Sequence, residues 1–119
     1  MKVFIPIETN DVNSEISSFF CKSKYFLLKD LENDTFEIIE NNFSSENRGI
    51  KVANMAIDKK IDFVILKNIG PRGFNIFKNA NVKIYLVKDM LVNMALELLK
   101  DGKLEELKEI KSNCSCKSN

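Results

Sequence analysis

Sulfur is the most distinctive chemistry in this sequence, and it comes from three cysteines. Cys21 follows Phe19 and Phe20, whereas Cys114 and Cys116 form a CxC pair near the end of the chain. Three thiols cannot form a closed set of disulfides, so in a reducing compartment they are expected to be free or to bind metal. A CxC pair supplies only two ligands, and zinc sites usually need four. The opposite interpretation also stands, in which Cys21 is a small core residue and the pair lies on a tail without function.

Histidine is absent from the whole chain. This absence excludes a Ser-His-Asp triad, a Cys-His nucleophile pair, an HExxH zinc site and any cluster held by imidazole. Most of the common nucleophilic and zinc chemistries of enzymes are therefore removed.

A second candidate site is the turn IGPRGF, which contains Gly70, Pro71, Arg72 and Gly73 where a helix must begin. The glycines would let the backbone approach a ligand, the helix start offers free N–H groups, and Arg72 can pair with an anion. Alternatively, glycine and proline serve only the geometry of a short strand-to-helix turn. The turn does not match the GxxxxGK[ST] pattern, so no nucleotide is predicted.

The hydrophobic pattern indicates five strands around these candidate residues. The apolar run KVFIPI predicts a buried strand with Pro6 near its end. Residues 24–41 contain two strand-like runs around the polar turn END, which favours a hairpin. Residues 62–67 are continuously apolar through their centre, which is typical of a parallel strand covered on both faces. Residues 82–87 predict another strand.

Helical periodicity indicates three helices and a shorter fourth one after the hairpin. Asp89 is expected to cap the third helix and Gly102 to end it. The predicted apolar stripes are Ile50, Ala53 and Ile57, then Phe74, Phe77 and Ala80, then Leu91, Met94, Ala95 and Leu98, and finally Leu104, Leu107 and Ile110.

This order of elements predicts one α/β domain with a five-stranded mixed sheet, an N-terminal antiparallel hairpin and three or more helices. The chain has 119 residues, of which 45% are hydrophobic and 29% charged, as in ordinary globular domains. We expect the domain to occupy residues 1–111 and a flexible Cys-containing tail to occupy residues 112–119. A net charge of +1 gives no support for nucleic acid or an anionic membrane as a partner. The chain lacks an apolar run of membrane-spanning length and its start turns polar too early for a signal peptide, so we expect a cytoplasmic protein.

The predicted topology also places a ligand cleft. In an open α/β sheet, ligands bind beyond the carboxyl ends of the strands, where the strand order reverses. The first strand and the strand at residues 62–67 are expected to be neighbours at that point. The loop at residues 14–22, which contains Ser18, and the turn at residues 68–74 would then face one cleft.

Four stretches of the sequence together resemble the dinitrogenase iron–molybdenum cofactor biosynthesis family, the NifX-like domains. They are MKVFIPIE, SEISSFFCKSKYF, KNIGPRGFNIFKNANVKIYLV and LVNMALELLKDGKLEEL, and their order and spacing agree with the family over residues 1–107. The resemblance implies a ribonuclease-H-like α/β fold with a five-stranded mixed sheet. It also implies a role in carrying or inserting a metal–sulfur cofactor or its precursor.

The sequence departs from the family in the loop before the second strand. Family members usually have a histidine followed by Phe-Gly there, and this chain has Phe19, Phe20 and Cys21 instead. Because phenylalanine cannot ligate metal, Cys21, on the loop that resembles the family's ligand loop, is the substitute thiolate ligand. Cys114 and Cys116 are further candidate metal ligands, through a transient metal contact or as half of a site that a partner completes. The residues expected to bind a cofactor are Ser18, Cys21, Gly70, Arg72 and Gly73.

The expected function is therefore that of a non-enzymatic accessory protein with the family's histidine ligand missing. It would transiently bind an iron–sulfur or iron–molybdenum type cluster, contact a metallocofactor assembly or acceptor protein, and be a monomer or weak homodimer. The alternative is a small-anion-binding or regulatory module that uses the same cleft without metal. An enzyme ranks last, because two-metal nuclease chemistry needs converging carboxylates. Glu8 and Asp11 follow the first strand. The strand at residues 62–67 ends at Lys67 and is followed by Asn68, so it ends without an acid.

Overall fold

A computed structural model describes residues 1–18, 20, 22–42 and 48–107 of the chain. Its elements are β1 (Lys2–Ile7), β2 (Tyr25–Asp30), β3 (Thr35–Glu40), α1 (Arg48–Asp58), β4 (Phe63–Leu66), α2 (Pro71–Asn79), β5 (Lys83–Leu86) and α3 (Val92–Lys100). The predicted order of strands and major helices is confirmed.

The five strands form one mixed sheet in the order β3-β2-β1-β4-β5. β2 is antiparallel to both β1 and β3, whereas β1, β4 and β5 are parallel. The N-terminal hairpin and the pairing of the first strand with residues 62–67 are therefore confirmed. None of the helices in the described ranges is long and apolar enough to cross a bilayer.

Helices on both faces of the sheet enclose two apolar cores. Phe4 and Val64 point to one core, which includes Phe77 of α2 and Ala53 of α1. The next residues along the strands point to the other core, where Ile5 packs with residues of α3. β4 has Val64, Ile65 and Leu66 fully buried because both of its faces are covered. Each such side chain contributes about 1.5–3 kcal/mol through burial.

The turn between β2 and β3 closes through side-chain hydrogen bonds. Asp30 Oδ1 accepts from the Glu32 N–H at 3.0 Å, and Asp30 Oδ2 accepts from Asn33 Nδ2 at 3.0 Å. The hydrogen bond from Asn33, more than any other contact, lowers the pKa of the Asp30 carboxyl. Asp34 adopts φ +52°, a left-handed conformation that Asp tolerates, and receives Lys29 Nζ at 2.7 Å.

Helix α3 buries a different face from the predicted one. Val92, Ala95 and Leu96 lie in the core, whereas Leu91 and Met94 are 44% and 58% exposed. The predicted stripe of Leu91, Met94, Ala95 and Leu98 was thus rotated by about one residue, or 100°. The helix carries apolar residues on more than one side, so periodicity alone did not determine which side faces the sheet.

Three further local predictions were wrong. Asp89 does not cap α3, whose N-cap is Leu91, because the Asp89 carboxylate pairs with Lys67. Ala80 is exposed at the end of α2 and does not share the buried face. The predicted fourth helix is absent over the described residues 104–107: the Leu107 N–H donates to the Ile84 carbonyl at 2.6 Å, so this segment pairs with the open edge of β5. Ile110 lies outside the described residues.

Candidate functional site

The loop after β1 folds back on itself and forms a fixed wall at the carboxyl edge of the sheet. The Glu8 N–H donates to the Glu15 carbonyl at 3.1 Å, and the Ser17 N–H donates to the Pro6 carbonyl at 2.9 Å. Ser14 is buried, and its hydroxyl accepts from the Thr9 N–H at 3.0 Å. These bonds satisfy the polar groups of a loop that would otherwise be mobile.

The same loop also caps helix α3, which has no capping side chain of its own. Asn13 Oδ1 accepts from the Asn93 N–H at 3.0 Å, and the Ser14 carbonyl accepts from the Val92 N–H at 3.0 Å. Two of the N–H groups that a helix start leaves unpaired are thereby satisfied by a segment far away in the sequence. The loop and the start of α3 consequently form one structural unit.

A cleft of about 430 Å³ lies between this unit and the carboxyl ends of β4 and β5. Its described lining residues are Glu15, Ser18, Lys67, Asp89, Met90 and Leu91. Ser18, from the loop at residues 14–22, is among the described lining residues. Lys67 and residues 89–91 are the other described parts of the lining, and a ligand role for the turn at residues 68–74 stays a prediction. This is the edge at which open α/β sheets bind ligands.

The charged side chains of the cleft are unequally exposed to solvent. Lys67 Nζ pairs with the Asp89 carboxylate across the gap between the ends of β4 and β5. The Lys67 side chain is only 15% exposed, whereas the Asp89 side chain is 93% exposed. Asn68 Nδ2 donates to the Ser18 carbonyl at 3.5 Å, which links the loop to the residue that follows Lys67.

The GPRG turn begins α2, and each of its two glycines has a structural role or a close neighbour. Gly70 is the N-cap with φ −82° and ψ 166°, an extended conformation that any residue adopts. Gly73 is buried, and an added Cβ would lie 3.2 Å from Phe20 Cε2 and 3.4 Å from Ile69. Arg72 is exposed on the first turn of the helix. None of these three residues lines the described cleft, and their assignment to a ligand stays a prediction.

Phe20 anchors the loop that carries Cys21. The Phe20 ring is 1% exposed and lies edge-on to Phe77 at 5.6 Å and to Phe4 at 6.5 Å, measured between ring centroids. Phe20, which the resemblance matches to the family's phenylalanine, is thus a core side chain. It packs against Gly73, so the loop of the first wall and the start of α2 are in direct contact.

Cys21, Cys114 and Cys116 lie outside the described residues, as do Phe19 and the tail. Within the described ranges, no three Cys, Asp or Glu side chains are grouped so that they could hold a metal ion. Among the predicted binding residues that the structure describes, Ser18 is the one that lines the cleft.

Sequence reasoning missed Lys67, Asp89, Met90 and Leu91 as residues of the cleft. A signal for two of them was present, because Lys67 follows β4 and Asp89 lies just beyond β5. Parallel strands bring their carboxyl ends to one edge, so polar residues that follow two such strands become neighbours.

The described fold and cleft define a class: small α/β domains with a cleft at the carboxyl edge of a mixed sheet. The model of the dinitrogenase iron-molybdenum cofactor family matches residues 1–102 of this chain. The chain therefore belongs to that family, whose members are associated with biosynthesis and binding of the iron–molybdenum cofactor.

Individual proteins are similar to this chain in sequence or in fold. The uncharacterized protein MJ0580 of Methanocaldococcus jannaschii is 27% identical over 111 residues, covering 89% of this chain and 91% of the relative. The Thermotoga protein TM1290, provisionally named a NifB protein, is 29% identical with a TM-score of 0.80, covering 94% of this chain and 97% of that chain. The apo orange protein of Desulfovibrio gigas shares the fold at a TM-score of 0.84 and 16% identity, covering 93% of this chain and 96% of that chain.

Proposed function

We propose that this protein is a non-enzymatic accessory protein that binds or carries a metal–sulfur cofactor or its precursor. The cargo would lie in the cleft between the loop at residues 14–18 and residues 89–91. The observation that carries the proposal is the position of this cleft at the carboxyl edge of a sheet whose chain matches the cofactor family over residues 1–102.

The chemistry of the cleft limits how the cargo is held. The described lining residues offer carboxylates, a hydroxyl and one ammonium group, and among them there is no sulfur other than the thioether of Met90. A thiolate from Cys21, three positions after Ser18, would supply the soft ligand that the family's histidine position, occupied by Phe19, does not. Cys114 and Cys116 would add ligands only if the tail returned to the cleft.

Transfer of such a cargo requires a second protein. We therefore include in the proposal a metallocofactor assembly or acceptor protein as a transient partner, and no turnover of a substrate by this chain. The exposed apolar side chain of Leu91 lines the cleft, and that of Met94 lies on the first turn of α3. Loss of cargo to an acceptor, with no chemical change in the protein itself, would be the expected behaviour.

The proposal is tested by anaerobic reconstitution of the full chain with ferrous iron and sulfide, followed by iron and sulfide analysis and absorption spectroscopy. We expect wild type to retain iron and sulfide after desalting. Cys21→Ser should lower the bound iron more than the double change Cys114→Ser with Cys116→Ser, which serves as the matched control.

The opposite result would favour the alternative function. If wild type retains no iron, and the Cys21 thiol resists alkylation until the protein is unfolded, then Cys21 is a core residue. The cleft would in that case bind a small anion without metal, as a binding or regulatory module. Lys67 is the described residue that favours this second candidate, because it brings a positive charge to the cleft.

A further inference from the structure

We infer that Lys67 and Asp89 form an exchangeable ion pair in which a small, doubly charged anion, such as a tetrahedral oxo-anion, replaces Asp89 as the partner of Lys67. The inference rests on the proposed function in one respect, that the cleft is the ligand site. It adds the residue that holds the anion and the residue that the anion must displace.

The two side chains of the pair are buried to different degrees. The Lys67 side chain is 15% exposed and the Asp89 side chain 93% exposed, although the two groups touch. A lysine whose stem is packed against the protein holds its ammonium group in few positions, so the positive charge stays at the cleft. The exposed carboxylate is not held in this way, and water solvates it when it leaves.

One residue of the pair follows a strand, and the other lies in a connection between two elements. Lys67 directly follows β4, which pairs with β1 on one side and β5 on the other, so its backbone position is fixed. Asp89 lies in the connection between β5 and α3, two residues before the Leu91 N-cap. The lysine consequently stays at the cleft, and Asp89 is the member of the pair that can move into solvent.

The cleft leaves room for an anion beside the pair. Both residues line the same cleft of about 430 Å³, which exceeds the volume of a small tetrahedral anion. Ser18, also in the lining, offers a hydroxyl that donates to an anion. A dianion would gain more from Lys67 than the singly charged Asp89 does, and this gain must exceed the repulsion from the Glu15 carboxylate in the same lining for Asp89 to be released.

The experiment compares molybdate and sulfate binding to the full chain by isothermal titration at constant ionic strength. The variants are Lys67→Gln, Asp89→Asn and the control Lys88→Gln, which removes an exposed cation that does not line the cleft. Urea denaturation and amide NMR spectra confirm that each variant is folded.

The expected results differ in sign. Lys67→Gln should weaken binding by at least about tenfold, the size of a lost hydrogen bond to a charged group. Asp89→Asn should strengthen binding by about two- to fivefold, because the competing partner of Lys67, worth no more than an exposed ion pair, is gone. Lys88→Gln should leave affinity unchanged. Equal losses in Lys67→Gln and Lys88→Gln, or weaker binding by Asp89→Asn, would overturn the inference.

Failure of this inference can be told apart from failure of the proposed function. If wild type and Lys67→Gln take up iron and sulfide equally, the inference is wrong and the proposed function stands. If wild type takes up no cluster but binds molybdate or sulfate through Lys67, the inference stands and the proposed function is wrong.

Discussion

The contact between Gly73 and Phe20 predicts the cost of placing a single methyl group in the GPRG turn. In Gly73→Ala the new Cβ would lie 3.2 Å from Phe20 Cε2 and 3.4 Å from Ile69 Cδ1. Phe20 cannot move away easily, because its ring is 1% exposed and lies edge-on to Phe77. Crowding of this kind typically costs about 1–3 kcal/mol. Alanine regains up to about 1 kcal/mol of helix propensity over glycine, so we expect a net destabilisation of about 1 kcal/mol.

Urea denaturation of four proteins isolates the contact: wild type, Gly73→Ala, Phe20→Leu and the double variant. Leucine lacks the ring atom that the new Cβ approaches, so the cost of Gly73→Ala should disappear in the Phe20→Leu background. The coupling energy is expected to be about 1–2 kcal/mol. Asn75→Ala, an exposed position of the same helix, is the control and should be neutral or slightly stabilising.

Two results would refute the reasoning. A stabilisation by Gly73→Ala equal to that of Asn75→Ala would show that Phe20 does not constrain the glycine. Additive effects in the four proteins would show that the two residues act independently. In either case Phe20 would not be the reason for glycine at residue 73. The sequence suggested one other reason, the close approach of a ligand to the backbone.

Three further predictions follow from local geometry. Gly102 has φ +70° and open space around it, so Gly102→Ala should lower the free energy of unfolding by about 1–2 kcal/mol through backbone strain alone, and Gly102→Asn by less. The lowered pKa of Asp30, caused first by its hydrogen bond from Asn33, means that the folded state holds the carboxylate more firmly than the unfolded state. The Asp30 carboxylate therefore stabilises the folded state at pH values above the ordinary pKa of 3.8, and this stabilisation is lost as the pH falls through the lower pKa of the folded state. Acid denaturation curves should consequently be less steep for Asp30→Asn than for wild type. On α3, Leu96→Ala should cost about 2–5 kcal/mol in thermal or urea unfolding, whereas Met94→Ala should change stability by less than about 0.5 kcal/mol; similar costs at both positions would contradict the observed orientation of the helix.

Elements with strong local signals were predictable from the sequence. The turn between β2 and β3 is made by side chains that bond to neighbours within five positions, such as Lys29 to Asp34. The continuous apolar run of β4 allowed no exposed face, so its interior, parallel position followed from the pattern. The order of helices and strands then limited the sheet to few arrangements.

The features that failed depend on contacts between distant residues. The face of α3 is chosen by the sheet and by Asn13, which caps Asn93 from 80 positions away. Asp89 was assigned to the cap by the local rule, but Lys67, 22 positions earlier, takes the carboxylate. Local patterns do not encode such partners. The same reason explains why Lys67 and Asp89, which are neighbours only in the folded chain, were not predicted as residues of one cleft.

The proposed function requires the ligand of this protein to bind at the carboxyl edge of the sheet, between the loop after β1 and residues 89–91. The most direct test is a titration of the ¹⁵N-labelled chain with tetrathiomolybdate, a diamagnetic metal–sulfur dianion, followed by amide NMR shifts. We predict that the largest shifts occur at Glu15, Ser18, Asn68 and Leu91. Shifts confined to the opposite edge, at the β2–β3 turn and around Asn81, would contradict the account.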